Sequence, residues 1–231
     1  INNVKTFASV LMPGVQHMRH THLPEHKFVK GQPNTGVEMA EDLERIAMNF
    51  GGENIAACIV EPIAGSTGTL VPPKGYLKRI REICDKHGIL LIFDEVITGW
   101  GRTGSAFASQ EFGVTPDMIT MAKATTNGVI PMGVVAVKEE MYDAVLDSSK
   151  NPEGTPELFH GYTYSGIPAA VAAGLAVQDI FEKEDIFNRA KEMSPYFQDG
   201  LHSLKDLKEI VSIRGYGMMG GIEMRMKDKP G

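Results

Sequence analysis

Three apolar runs in this chain end in residues that can do chemistry. The run from Ile55 to Val60 ends in Glu61, the run from Ile89 to Phe93 ends in Asp94 and Glu95, and the run from Met118 to Met121 ends near Lys123. If the runs are parallel strands, these side chains stand outside the carboxyl ends of one sheet, where ligands gather in open α/β proteins. One amine and several carboxylates on a single rim make a candidate site for binding and reacting with a small molecule. The plain alternative is structural. Strand-end polar residues can simply be solvated, and Asp94 and Lys123 could form a salt bridge.

Other motifs are weaker. GWGRTG, Gly99 to Gly104, matches GxGxxG, but a dinucleotide fingerprint has its ribose-holding acid at the end of the following strand. Here the preceding strand carries the acids and the next ends in a lysine. LLIFDE could be a Walker B strand that places Asp94 and Glu95 on Mg²⁺, but no GxxxxGK[ST] loop accompanies it. His17, His20, His22 and His26 match no defined zinc spacing and read as a polar surface loop, so no metal site is expected. HGYTYSG, rich in Gly, Thr and Ser just before a helix, could hold an anion on backbone N–H groups and hydroxyls.

The elements that must position the rim follow from periodicity. Met39, Leu43, Ile46, Ala47 and Phe50 recur at helical spacing and stop at Gly51-Gly52, and Leu77, Ile80, Ile83 and Cys84 mark a second helix stopped by Gly88. A short helix is expected around 106–112. Apolar strands alternating with amphipathic helices indicate an α/β fold, a mostly parallel sheet covered by helices on both faces. Gly133 to Val137 follows Lys123 too soon for a helical crossover, so that strand runs antiparallel or sits elsewhere. The Ala-rich stretch from Pro168 to Phe181 reads as a long buried helix. A polar helix follows, then a strand pair, Ile210–Ile213 and Gly221–Met226, around Gly215 and Gly217.

The 231 residues carry 23 Lys and Arg against 29 Asp and Glu, a net charge of −6, which argues against a nucleic-acid-binding surface. No apolar run approaches the roughly 18 to 20 residues of a membrane helix. INNVKTFASV lacks the zones of a secretion signal. Cys58 and Cys84 read as buried, reduced thiols, so a cytoplasmic location is expected. The absence of an initiator Met and the loop-like DKPG end make the chain read as the central piece of something longer.

LLIFDEVITGWGRTG followed by GVTPDMITMAKATTNGVIPMG resembles the class III pyridoxal-phosphate-dependent aminotransferases. EPIAGSTGTLVPPKGYL before them and HGYTYSGIP after them fit the same family in the same order, from about Gly31 onward. Within it the likeness is to the β-alanine (ω-amino acid)–pyruvate aminotransferases. The resemblance implies a fold type I PLP-dependent transferase, with residues 1–180 in the large cofactor-binding domain and 181–231 starting a smaller C-terminal α+β domain. It implies pyridoxal 5'-phosphate carried on Lys123 as a Schiff base, with Asp94 paired to the pyridine nitrogen. Val96 would pack on one face of the ring, with Ile97 beside the ring hydroxyl. Thr163 would reach a phosphate in the partner subunit, making a homodimer with shared active sites, a tetramer being the larger alternative. Glu61 matches a pocket-lining acid whose role varies.

The implied reaction is amino transfer from a β- or ω-amino acid such as β-alanine to pyruvate, so the partners are small amino and keto acids. Another class III donor or an aminomutase is the alternative. Two residues depart from the common pattern: Ile97, where many members carry Gln, and Ile167, where His commonly precedes Pro. The family's phosphate loop and ring-stacking aromatic lie upstream of Ile1, and its substrate-carboxylate arginine lies downstream of Gly231. The chain by itself is therefore expected to hold the cofactor poorly and to be inactive.

Overall fold

The structure, a computed structural model, describes residues 7–148 and 160–225. Strands β1 (Ala57–Val60), β2 (Leu90–Asp94) and β3 (Met118–Met121) run parallel in that order, and β4 (Val134–Val137) pairs antiparallel with β3. The short β3–β4 connection permits only that orientation for an adjacent strand. β1 begins two residues later than its apolar run, because the Ile55 N–H closes a 3-10 turn onto Gly52 O at 3.0 Å.

Helices α1 (Glu41–Phe50) and α2 (Tyr76–His87) supply the first layer. Gly88 ends α2 in the left-handed region (φ +68°), and the Ile89 N–H turns back to Cys84 O at 2.9 Å. That is the geometry a glycine at this position makes inexpensive. Leu91 and Phe93, both 0% exposed, join Cys58, Leu77, Ile80, Ile83, Cys84, Leu43 and Ala47 in one core cluster. The opposite sheet face is partly open among the described residues. Ile59, Ile92, Met118 and Val137 pair across the four strands as one row, yet Ile59 is 59% and Val137 46% exposed. An apolar row of this kind is what a further layer or a second subunit covers.

The remaining helices are α3 (Ala108–Glu111), α4 (Glu139–Asp147), α5 (Pro168–Lys183) and α6 (Ile186–His202). Helix α5 is not the buried helix its composition suggests. Only Ala170, Gly174 and Val177 are buried, whereas Leu175 and Ile180 are exposed. Small residues at i, i+4 and i+7 make a narrow stripe, with Gly174 against Thr125 O. Strands β5 (Ile210–Tyr216) and β6 (Met219–Met224) form an antiparallel hairpin, longer than the expected pair at its first strand and ending earlier at its second. Its tip lies on the GWGRTG loop: the Met218 N–H donates to Arg102 O at 2.8 Å, and a Cβ on Gly217 would meet that same oxygen at 2.4 Å.

The histidine-rich segment also corrects an expectation. His17 and His20 are exposed, but His26 is buried at 3%. Its Nδ1 accepts the Leu23 N–H at 3.2 Å and its Nε2 lies 3.0 Å from Thr35 O. Both polar atoms being satisfied, the ring can leave water.

Asp117, just before β3, sets that strand in place. Its carboxylate accepts from Leu91 N–H, Arg81 Nη1 and Lys138 Nζ, each at 2.7 Å, while its own N–H donates to Leu91 O at 2.8 Å. Burial by itself raises the Asp117 carboxyl, but the hydrogen bonds from Lys138, Leu91 N–H and Arg81 outweigh it and hold the pKa down to about 2. A carboxyl depressed in the folded state contributes stability above its unfolded value of about 3.9, and that stability is lost as pH falls through the folded value. Asp117→Asn should therefore flatten the loss of urea stability between about pH 4 and pH 2; a slope identical to the parent would contradict this.

Candidate active site

The parallel strands bring their carboxyl ends to one rim. Glu61 directly follows β1, Asp94 closes β2, and Lys123 opens a 3-10 turn, Lys123–Thr125, just beyond β3. Asp94 pairs in register with Thr120 of β3 and so shares the open face of the sheet with Ile92 and Met118. It is half-buried, and its Oδ1 accepts the Val96 N–H at 3.1 Å. Among the described residues no ion pair joins Asp94 to Lys123, and neither charge pairs elsewhere. The simple salt-bridge reading of the rim does not hold.

Lys123 is exposed and has a backbone φ of +47°. For a residue with a Cβ the left-handed region costs roughly 1–2 kcal/mol, so neighbouring bonds must impose it. The N–H groups of Gly128 and Thr126 donate to Lys123 O at 3.2 and 3.4 Å. On the other side, the Thr125 N–H and Oγ1 both donate to Ala122 O at 3.0 Å. Backbone strain at an exposed amine is a pattern that gathers at functional sites.

The other expected site residues fall into two groups. Val96 and Ile97 lie half-buried in the turn after Asp94. Ile97 fits against Gly65, where a Cβ would come within 2.7 Å of its Cδ1, and leans on the cluster of Ile63, Val71 and Met219. Glu61 belongs to the same corner, its Oε2 accepting the Gly65 N–H at 2.9 Å. Thr163 stands apart. It lies exposed in a turn closed by Ser165 N–H to Tyr162 O at 2.9 Å.

Neighbouring residues support the rim. Glu95 is 0% exposed and accepts from Ala108 N–H, Ser109 N–H and Thr98 Oγ1 at 2.5, 2.9 and 3.1 Å. Both its oxygens are therefore occupied in capping α3, and it is not poised to hold Mg²⁺. Trp100, the one tryptophan of the chain, donates its Nε1–H to Thr125 Oγ1 at 3.0 Å. Its position in a loop right after a chemistry-bearing strand end is the signal that could have drawn attention to it. The glycines of GWGRTG serve packing: a Cβ on Gly99 would meet Glu95 O at 2.8 Å.

Residues 2–230 match the family Aminotransferase class-III. The chain belongs to that family. A relative from Caulobacter vibrioides, an omega-aminotransferase, is 54% identical over 222 residues, which are 96% of this chain and 49% of that protein. A beta-alanine–pyruvate aminotransferase from Pseudomonas aeruginosa is 46% identical over 227 residues, 98% of this chain and 50% of that protein. The chain thus spans about half the length of the curated relatives it matches. Among solved structures, an amine transaminase from an uncultivated Pseudomonas species in its PLP-bound form superposes with a TM-score of 0.76 at 39% identity, covering 81% of this chain and 42% of that one. The fold is that of the PLP-dependent transaminases, and class-III aminotransferases depend on pyridoxal 5'-phosphate. Membership of the family removes the magnesium-nucleotide alternative.

The rim fits that cofactor. An exposed amine with no ion-pair partner among the described residues can bond to an aldehyde carbon. A carboxylate with Oδ2 unengaged among those residues can receive a ring N–H. No helix among them is long and apolar enough to cross a membrane.

Glu95→Ala strands the Ala108 and Ser109 N–H groups and the Thr98 hydroxyl in a buried corner. It should cost on the order of 3 kcal/mol, read as a lower urea midpoint. A loss under about 0.5 kcal/mol, the range of an ordinary surface change, would show that the cap carries no weight.

Proposed function

We propose that the full-length protein transfers an amino group from a β- or ω-amino acid to pyruvate, with Lys123 as the covalent anchor of pyridoxal 5'-phosphate. The observation that carries this is the rim itself: Asp94 and Lys123 end adjacent parallel strands and form no ion pair with each other, in a chain of the class-III family. The names of the Caulobacter and Pseudomonas aeruginosa relatives support the donor class, and the latter supports pyruvate as acceptor.

When bound, the cofactor supplies an electron sink for the carbanion that amine transfer requires. The chain's own residues do the rest. Lys123 would hold the cofactor at its aldehyde carbon and, as a free amine, would carry a proton as a positioned base. Asp94 would hold the pyridine nitrogen in its protonated form, because an opposite charge at close range favours the charged state. Val96, in the turn that starts from the Asp94 carboxylate, would bear on one ring face, and Ile97 would line the side near the ring hydroxyl. Glu61, fixed to Gly65, would form a polar wall of the pocket.

The same reading makes the protein a homodimer. Thr163 lies exposed between Tyr162 and Tyr164, each 77% exposed, and would reach a phosphate held by the other subunit. Residues 1–180 would belong to the large domain, with 181–231 beginning the smaller one.

Borohydride reduction of the PLP-loaded full-length protein should leave a pyridoxyl group on Lys123, found by mass in the peptide containing Ala122 to Gly128. The label on another lysine would overturn the assignment. Asp94→Asn should lower kcat by about 10²-fold or more, the scale of removing one preorganised electrostatic group, with KM changed only a few-fold. A raised KM with kcat unchanged would show that Asp94 serves binding alone.

A further inference from the structure

The chain direction changes abruptly at Lys123. Ala122 is fully extended (φ −158°, ψ −151°), and the next residue turns to φ +47°. The peptide plane between them aims the Lys123 Cα–Cβ bond, and its carbonyl is gripped by Thr125 through both the N–H and the Oγ1 hydroxyl at 3.0 Å. Thr125 is only 4% exposed, so water does not compete for that hydroxyl. Its oxygen has one further described partner, the Nε1–H of Trp100 at 3.0 Å.

Trp100 is itself held on several sides. It has φ +63°, and its own N–H donates to Ala106 O at 2.6 Å. Its ring lies between Phe107, centroids 5.0 Å apart and inclined at 59°, and Phe181 of α5, at 5.8 Å and 28°. A ring needed only for packing would not require a donor aimed at a buried hydroxyl; phenylalanine fills much the same space.

We propose that Trp100 is a positioning residue for Lys123: its indole N–H fixes the Thr125 hydroxyl, which fixes the Ala122 carbonyl and so the direction of the lysine side chain. This rests on the proposed role of Lys123. The two strand-end loops that carry the left-handed residues Trp100 and Lys123 are thereby tied by the Trp100–Thr125 hydrogen bond. Trp100 does not touch the reacting atoms. It acts through Thr125.

The test uses cofactor-free, full-length protein and two probes. Pyridoxal 5'-phosphate would be captured covalently when the Lys123 amine condenses with its aldehyde and water leaves, whereas pyridoxamine 5'-phosphate binds without that bond and reports on the pocket alone. Trp100→Phe keeps the stacking and loses the donor. It should slow covalent capture by about tenfold, the scale of a modest misplacement of a reacting group, and lower kcat similarly. KM and pyridoxamine 5'-phosphate affinity should stay within about twofold. Thr125→Val should do the same and Thr125→Ser should restore capture, so this pair decides the matter even if the tryptophan variant folds poorly. The double variant Trp100→Phe/Thr125→Val should be no worse than Thr125→Val, as for two residues on one route. Wild-type capture in both Trp100→Phe and Thr125→Val, equal weakening of the two probes, or losses that multiply in the double variant would each overturn the proposal. If peptide mass places the wild-type label on a different lysine, it is the Lys123 assignment that fails. A label on Lys123 with capture unaffected by these substitutions refutes the positioning role alone.

Discussion

Asp117 grips β2 from the first residue before β3 begins. The Leu91 N–H donates to its carboxylate and its own N–H returns to Leu91 O, at 2.7 and 2.8 Å, so one residue occupies both hydrogen-bonding groups of a strand neighbour. Arg81 from α2 and Lys138 after β4 complete the clamp on the same carboxylate. A one-residue slip of β3 would turn every side chain of that strand to the other face. With the clamp in place, Ile92 meets Met118 and Asp94 meets Thr120. The acid and the amine then leave the sheet at the same rim.

Around that fixed register two strained residues lie beside the rim. Lys123 and Trp100 both sit in the left-handed backbone region, and both lie in loops that leave the carboxyl ends of strands. Glu95, adjacent to Asp94, is spent entirely on structure, capping α3 with both oxygens. The two neighbouring carboxylates thus have opposite fates. The one on the covered side is saturated with hydrogen bonds, while the one on the open face keeps an oxygen unengaged among the described residues.

Much of this was readable from local pattern. Ile89 to Phe93 and Met118 to Met121 are apolar on both faces and short, which signals a strand of a covered sheet, and Gly88 marks the end of α2 by its conformational freedom. Lys123 and Asp94 stand out because each follows such a run. What escaped was set by long-range partners. Asp117 joins groups 26, 36 and 21 residues away, and Trp100 meets Thr125 across 25; no periodicity encodes either bond. Composition also misled. An Ala-rich helix looks buried all round, but α5 buries only its stripe of small residues, and His26 looks like a surface residue until Leu23 and Thr35 satisfy its ring.

On the proposed function, the register of β2 and β3 would deliver one acid and one amine to a single cofactor. A crystal structure of the PLP-loaded full-length protein tests it most directly. Continuous density is expected from Lys123 Nζ to the cofactor, with an Asp94 oxygen about 2.7–2.9 Å from the pyridine nitrogen, the length of a charge-assisted hydrogen bond. Density joined to another lysine, or an Asp94 carboxylate turned away from the ring, would contradict it.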